Sequence, residues 1–353
     1  MDFATNLGII PLKNPLICAS SEFTMTAAGI KAALDAGAAA VVAKSVNESP
    51  QAARQLDSAE YVLLAQNWQT VPWENAELEA SLFCRSGLAQ MPLPEWLQLL
   101  GEADAYARTK DAYVVGSITV ADPGPAAEIA AAMEQAGLRW IELNLSAPHG
   151  REAVPGAIRQ ITDAEIVHDY VHQVRRATRV PLAVKLTAQT ADLLALAEQA
   201  VRGGADMLVM IGRVQGFMPD IETHLPILGS WGAIGGHWAL PASLYWVSKC
   251  WCAISQSVPL IGTNGARSAD DVIRFLLSGA RAVELASLVL SHGPAVFSRI
   301  LADLQTYGER KQIARLTDLV GKAADVARPY GTLPAVSRPA YPWDRYLTEA
   351  ERE

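Results

Sequence analysis

Short runs of β-branched and small apolar residues recur along the chain, each followed by a stretch with helical spacing. The runs predict strands at Asn14–Ser20, Ala38–Ser45, Tyr113–Ile118, Trp140–Ser146, Pro181–Leu186, Asp206–Gly212, Pro259–Gly265 and Ala282–Leu288. Amphipathic stretches between them, such as Ala126–Gly137, Ala191–Gly203 and Ala269–Gly279, predict helices. Several close on a glycine just before the next strand (DAGAAAVV, EQAGLRW, RGGADM, LSGARAV), where a left-handed helix cap is needed. Strands apolar on both faces and alternating with helices predict a parallel sheet. Eight such units favour closure into a (β/α)₈ TIM barrel, with an open doubly wound sheet as the alternative that periodicity leaves standing.

Two segments break the rhythm: 47–91 after the second strand and 211–239 after the sixth. Long strand-to-helix connections of a barrel lie at its C-terminal mouth, where active sites are built. The expected organisation is one barrel over 1–327 and a Pro-rich tail over 328–353. With Tyr330, Tyr341, Trp343 and Tyr346, the tail is expected to pack on the barrel or on a second subunit.

Composition narrows the function classes. Of 353 residues, 50% are apolar and 19% charged, enough for a large core. A net charge of −8 argues against nucleic acid or an anionic membrane as partner. The start, MDFATNLGII, has no basic segment leading into an apolar one, and no apolar run reaches the roughly 18 residues of a membrane span. A cytoplasmic location is expected. Cys18, Cys84, Cys250 and Cys252 form neither a CxxC pair nor a zinc pattern, so no metal is expected.

The predicted strand ends carry a polar set: Ala19-Ser20, Lys44-Ser45, Asn144 to Ser146, Lys185, Gly262 to Gly265 and Ala286-Ser287. Lys44 and Lys185 stand in otherwise apolar strands, where an ammonium must be paired or face a ligand. One alternative is a structural ion pair; two such lysines point to a shared anionic or electron-rich ligand. GTNGARSADDV and ELAS are small-residue turns opening into helices in the last two units, where barrels often hold phosphate. Asp270 and Asp271 fit the first turn of a helix and need no catalytic role.

ELNLSAPHG followed by AVKLT, with AAVVAKS, GAIGG, IGTNGARSADD and SGARAVELAS, resembles the flavin barrel of the dihydroorotate dehydrogenase family. The segment is most similar to the pyrimidine-reducing barrel of dihydropyrimidine dehydrogenase. The resemblance runs from about Asn14 to Leu301. It implies FMN as cofactor and a homodimer. Ala19, Ser20, Lys44 and Ser45 would line the flavin ring, Asn144 would stand beside ring and substrate, and Lys185 would contact the ring edge or ribityl chain. The backbone of Gly235, Gly236, Asn264, Gly265, Ala286 and Ser287 would hold ribityl and phosphate.

The departures concern the substrate. Where the resemblance places the family's Cys or Ser acid/base, this chain has Ala147, which cannot move a proton. The sixth strand ends in Gly212-Arg213 rather than Asn-Thr, and the asparagines expected after the third strand are missing from SITVADPG. A site that has lost its hydrogen-bonding partners rejects the pyrimidine, so neither dihydroorotate nor uracil is expected. Replacement acid/base candidates are His149, with loop ordering as the alternative, and His237, with a solvated loop histidine as the alternative. Arg213 suggests an anionic substrate group, against a salt bridge to Asp220 or Glu222. Cys84, beside Arg85, is a weaker candidate. The leading expectation is an FMN-dependent oxidoreductase acting on a small, cyclic or unsaturated, anionic substrate, with any electron relay in a separate partner. The alternatives are a flavin enzyme without net redox turnover and a non-catalytic flavin-binding barrel.

Overall fold

All eight expected strands form one closed parallel barrel. The computed structural model describes residues 1–49, 59–148, 158, 160–254, 257–334 and 342–346. In chain order, β1 (Thr5–Leu7) and β2 (Ile10–Leu12) make a hairpin, followed by β3 (Leu16–Cys18) and β4 (Ala40–Val42). The first interruption contains β5 (Glu60–Leu64), β6 (Thr70–Val71) and β7 (Ser81–Arg85). Next come β8 (Tyr113–Thr119), β9 (Ile141–Asn144), β10 (Leu182–Lys185) and β11 (Met207–Met210). The second interruption contributes β12 (Val214–Gly216) and β13 (Gly232–Gly235), before β14 (Leu260–Thr263) and β15 (Ala280–Leu285). Around the barrel the order is β3, β4, β8, β9, β10, β11, β14 and β15, which closes back on β3.

The main outer helices are α1 (Ala27–Asp35), α2 (Leu93–Arg108), α3 (Pro123–Gln135), α4 (Ala164–Ala177), α5 (Leu193–Gly203), α6 (Leu240–Ile254), α7 (Ala269–Leu277), the short α8 (Ser287–His292) and α9 (Val296–Lys311). Local chemistry sets their ends. Asp122 caps α3 three residues earlier than the apolar spacing suggests, because Pro123 suits the first helical position. Asp192 caps α5, which stops at Gly204 in the left-handed conformation. Asp271 in α7 accepts from the Arg267 N–H at 3.0 Å and from Arg274 at 2.8 Å, the structural role expected of that pair of aspartates.

Alternation along the barrel strands sorts the core into two shells. Leu182, Val184, Val283 and Leu285 pack outward against the helices. Ile17, Val42, Val115, Val209 and Ile261 point into the lumen, whose N-terminal end is closed by Leu7, Ile10 and Leu12 of the hairpin. The charged residues of the strands therefore appear only toward the C-terminal end of the lumen.

Both interruptions were expected as mouth loops; instead they pair with each other. The strand β7 bonds β5 on one side and β13 on the other, giving an antiparallel five-stranded sheet in the order β12-β13-β7-β5-β6. One face buries Leu63, Leu82, Cys84 and Ala233, and the other buries Leu64, Phe83, Leu228 and Ile234. That burial on both faces explains why these otherwise polar segments form a sheet. In the tail, Tyr330, Leu333 and Tyr346 are exposed. No helix among the described residues is long and apolar enough to cross a membrane.

Candidate functional site

The C-terminal ends of the barrel strands open into a cleft of about 640 Å³, part of it open to solvent. Its floor is ionic. Lys185 on β10 reaches Glu142 on β9 at 3.0 Å and Glu284 on β15 at 2.6 Å. All three are buried, since strand alternation turns each of them into the lumen. Burial acts to lower the Lys185 pKa, but the two carboxylates outweigh it and hold the ammonium above the usual lysine range. Burial and then the neighbouring Glu142 push the Glu284 carboxyl up to about 8, against the pull of Lys185.

One wall is built from the strand-one loop, β4 and the mouth sheet. Lys44 forms an ion pair with Glu22, which also accepts a hydrogen bond from the Tyr61 hydroxyl. Burial acts to raise Glu22, yet Lys44, Tyr61 and Arg213 together hold its carboxyl below the usual range. For Lys44 burial wins, and its pKa lies below that of a free lysine. Arg213 donates to the Cys84 sulfur and, at 2.9 Å, to Ser86 Oγ. It makes no ion pair with Asp220 or Glu222; Asp220 instead accepts from the backbone of Glu222 and Thr223. The salt-bridge alternative for Arg213 is therefore overturned. Burial raises the Cys84 thiol more than Arg213 lowers it, so it remains an uncharged acceptor.

A smaller pocket joins the cleft and shares Gly265, Ala266 and Ser287 with it. Among the described residues no acceptor meets the N–H groups of Gly265 and Ala266. Gly265 sits at φ +125°, and an added Cβ would lie 2.6 Å from Leu240 Cα, so only glycine fits. Asn264 ties the two ends together: its Nδ2 donates to Gly212 O at 3.2 Å, and its Oδ1 accepts from the Gly236 N–H at 3.3 Å. His237 lines this smaller pocket rather than the cleft, with Nδ1 2.9 Å from Gly265 O. Arg267 lines it too and pairs with Glu79 of the insertion.

The expected site residues thus largely converge. Ser20, Lys44, Lys185, Gly235, Asn264, Gly265, Ala286 and Ser287 line the cleft, and Gly236 lines the adjoining pocket. Ser45 backs the cleft by bridging Ser20 and Ser117 through its hydroxyl at 3.3 and 2.8 Å. Ala19 is buried behind it, its N–H bonded to Leu285 O. Asn144 is not among the lining residues, and its side-chain oxygen is taken by Ser146. Ala147 packs with Leu88 and Ile158 in an apolar cluster. His149 lies outside the described residues. Glu22, Tyr61, Glu142 and Glu284 were not singled out by the sequence pattern.

A cleft lined by Lys44, Lys185 and Arg213, leading into a pocket of unpaired backbone N–H groups, suits a planar redox group with an anionic tail. The Dihydroorotate dehydrogenase family profile matches residues 75–307. The chain belongs to the dihydroorotate dehydrogenase family. It is 30% identical over 319 residues to the catalytic subunit of dihydroorotate dehydrogenase B (NAD(+)) of Methanosarcina acetivorans, covering 90% of this chain and 94% of the relative. The corresponding protein of Methanocaldococcus jannaschii is 27% identical over 90% of this chain and 97% of its own length. Dihydroorotate dehydrogenase A (fumarate) of Limosilactobacillus reuteri is 35% identical over 186 residues, 52% of this chain and 58% of that protein. As a member of this family the protein is an FMN-dependent oxidoreductase. Its two joined pockets fit that cofactor, with lysines at the wide end and free N–H groups at the narrow end.

Proposed function

We propose that this dehydrogenase-family enzyme acts on a small cyclic or unsaturated molecule whose anionic group is gripped by Lys44 and Arg213. One observation carries the reading: the wall of the cleft holds two cations against a single carboxylate, Glu22, while the Cys84 thiol stays neutral. A wall cation with no carboxylate of its own suits a ligand anion. Bound FMN would supply two-electron exchange with the substrate. Ser20, Lys44 and Lys185 would border its ring, with Ala19 and Ser45 behind them, while Gly235, Gly236, Asn264, Gly265, Ala286 and Ser287 would hold its ribityl phosphate. His237 and Arg267 belong to the phosphate end in this reading. Lys44, with its lowered pKa and its Glu22–Tyr61 partner chain, is the group best placed to hold or move a proton at the substrate. The electron partner is a separate protein or a soluble acceptor.

The relatives' names favour a second reading, in which the substrate is dihydroorotate itself, also a cyclic anion. Against it stand Gly212-Arg213 just past β11 and Ala147 shut into an apolar cluster. Anaerobic mixing of the FMN-loaded protein with dihydroorotate and with other small cyclic or unsaturated carboxylates separates the two. Bleaching of the visible flavin bands by a different carboxylate, weakened roughly 10- to 100-fold in affinity by Arg213→Gln, is the expected outcome. Bleaching by dihydroorotate alone refutes the first reading. Turnover without bleaching would mean that no net redox occurs.

A further inference from the structure

The floor of the cleft holds more acid than its cation can balance. Lys185 is the cation shared by Glu142 and Glu284, and the three side chains are 9%, 1% and 1% exposed. With both carboxylates ionised the cluster would bury one uncompensated negative charge, a state that interiors avoid by keeping a proton. Both carboxyl groups reach the same ammonium, Lys185 Nζ, at 3.0 and 2.6 Å, so they face each other across one nitrogen. Glu284 Oε1 has no donor among the described residues. A proton held between the carboxyls removes the excess charge and brings them together.

We propose that Glu142 and Glu284 share one proton across the floor of the FMN cleft, with Lys185 as their common cation, and that this pair adds a further proton-linked step to the pH dependence of the cofactor's potential. Of the other charged groups in the cleft, Lys44 and Arg213 stand on its wall with Glu22. They are retained in the Glu284 and Glu142 variants, so any titration of theirs is common to all the curves compared. The Cys18 thiol on β3 is kept neutral by burial and by Glu284 itself. The strands β4, β8, β11 and β14 turn Val42, Val115, Val209 and Ile261 into the lumen. The charge balance is simple. Two electrons and one proton entering the cofactor leave one added negative charge in the cleft, and that charge tightens the pair's hold on its proton. Over the pH range where the pair is deprotonated beside the oxidised cofactor, one further proton is taken from solvent: carboxylate plus H⁺ gives carboxylic acid. Glu284 is a positioning residue for charge in this scheme, and the substrate's identity does not enter.

Infrared spectroscopy of the full-length FMN-free protein at pH 7, with and without ¹³C-glutamate, tests the shared proton. A protonated-carboxyl C=O band that shifts with the label and disappears in both Glu284→Gln and Glu142→Gln is expected. No such band in the wild type, or a band that survives in both variants, overturns the proposal. Thermal melts of the near-isosteric variants establish that they are folded. Potentiometric titration of the FMN-loaded proteins from pH 6 to pH 10 (a range chosen to span the pair) then tests the coupling. A wild-type curve that steepens and then relaxes, with the steep region missing in Glu284→Gln, is expected; superimposable pH slopes overturn the coupling.

Discussion

Replacing Lys185 with methionine removes the cation beneath the cleft while keeping nearly the same side-chain length. Little cavity is created, so the loss is electrostatic. Lys185 Nζ lies 3.0 Å from Glu142 and 2.6 Å from Glu284, and both carboxyl side chains are 1% exposed. Removing one partner from such a buried cluster costs about 3–5 kcal/mol, because the desolvated charge left behind has no counterion. The direction of the pH dependence follows from the pKa shifts. The raised pKa of Lys185 contributes stability that is present at neutral pH and lost only as pH climbs through the folded-state lysine value. The raised pKa of Glu284 has the same sign in a lower window, so stability falls as pH rises from the ordinary carboxylate range toward about 8. Without Lys185 that fall must steepen. Urea unfolding of the FMN-free protein at pH 5, 7 and 8.5 (values chosen to bracket the Glu284 transition) measures it, provided the m-value is unchanged. A deficit below about 1 kcal/mol at pH 7, or one equally large at pH 5 and pH 8.5, would refute the buried-charge argument.

Gly265→Ala forces a side chain to φ +125° and to 2.6 Å from Leu240 Cα, so the purified variant should lose most of its bound flavin, read from the ratio of visible to 280 nm absorbance. Glu22→Gln leaves Lys44 and Arg213 without their carboxylate. Binding of small carboxylates, followed by flavin spectral shifts, should tighten at neutral pH and weaken at a lower pH than in the wild type, because Lys44 then sheds its proton earlier. Three of the four thiols are buried and Cys252 is exposed, so an aromatic disulfide reagent should label one thiol quickly in the native protein and four after unfolding. Fast native modification of Cys84 would contradict its placement behind Arg213.

The barrel was legible because each strand is buried on both faces, and runs such as AVV and MLVM admit few other readings. Observed ladders are shorter than the apolar runs at their ends, where the chain already leaves the sheet. The mouth sheet was not legible. Pairings such as Cys84 with Ala233 join segments far apart in sequence, and β12 is three residues long, so no local turn or alternation announces them. Lys44 and Lys185 stood out as charges within apolar strands. The same reasoning applied to IELN and ARAVEL would have identified Glu142 and Glu284 as their counterparts. Glu22 was harder to see. It follows the end of strand one in a short turn, and only the fold brings it to Lys44.

The five-stranded sheet makes the two mouth insertions a single structural unit. β13 ends in Gly235, and the next residue, Gly236, leaves so little room that an added Cβ would stand 2.7 Å from Ser81 Oγ in the other insertion. A graft or deletion confined to 59–91 would therefore expose the edge of β13 and disturb the turn beside the smaller pocket, even with every barrel residue intact. Any redesign of this chain's cleft mouth has to move both segments together, which turns what looks like loop tinkering into a domain-sized change.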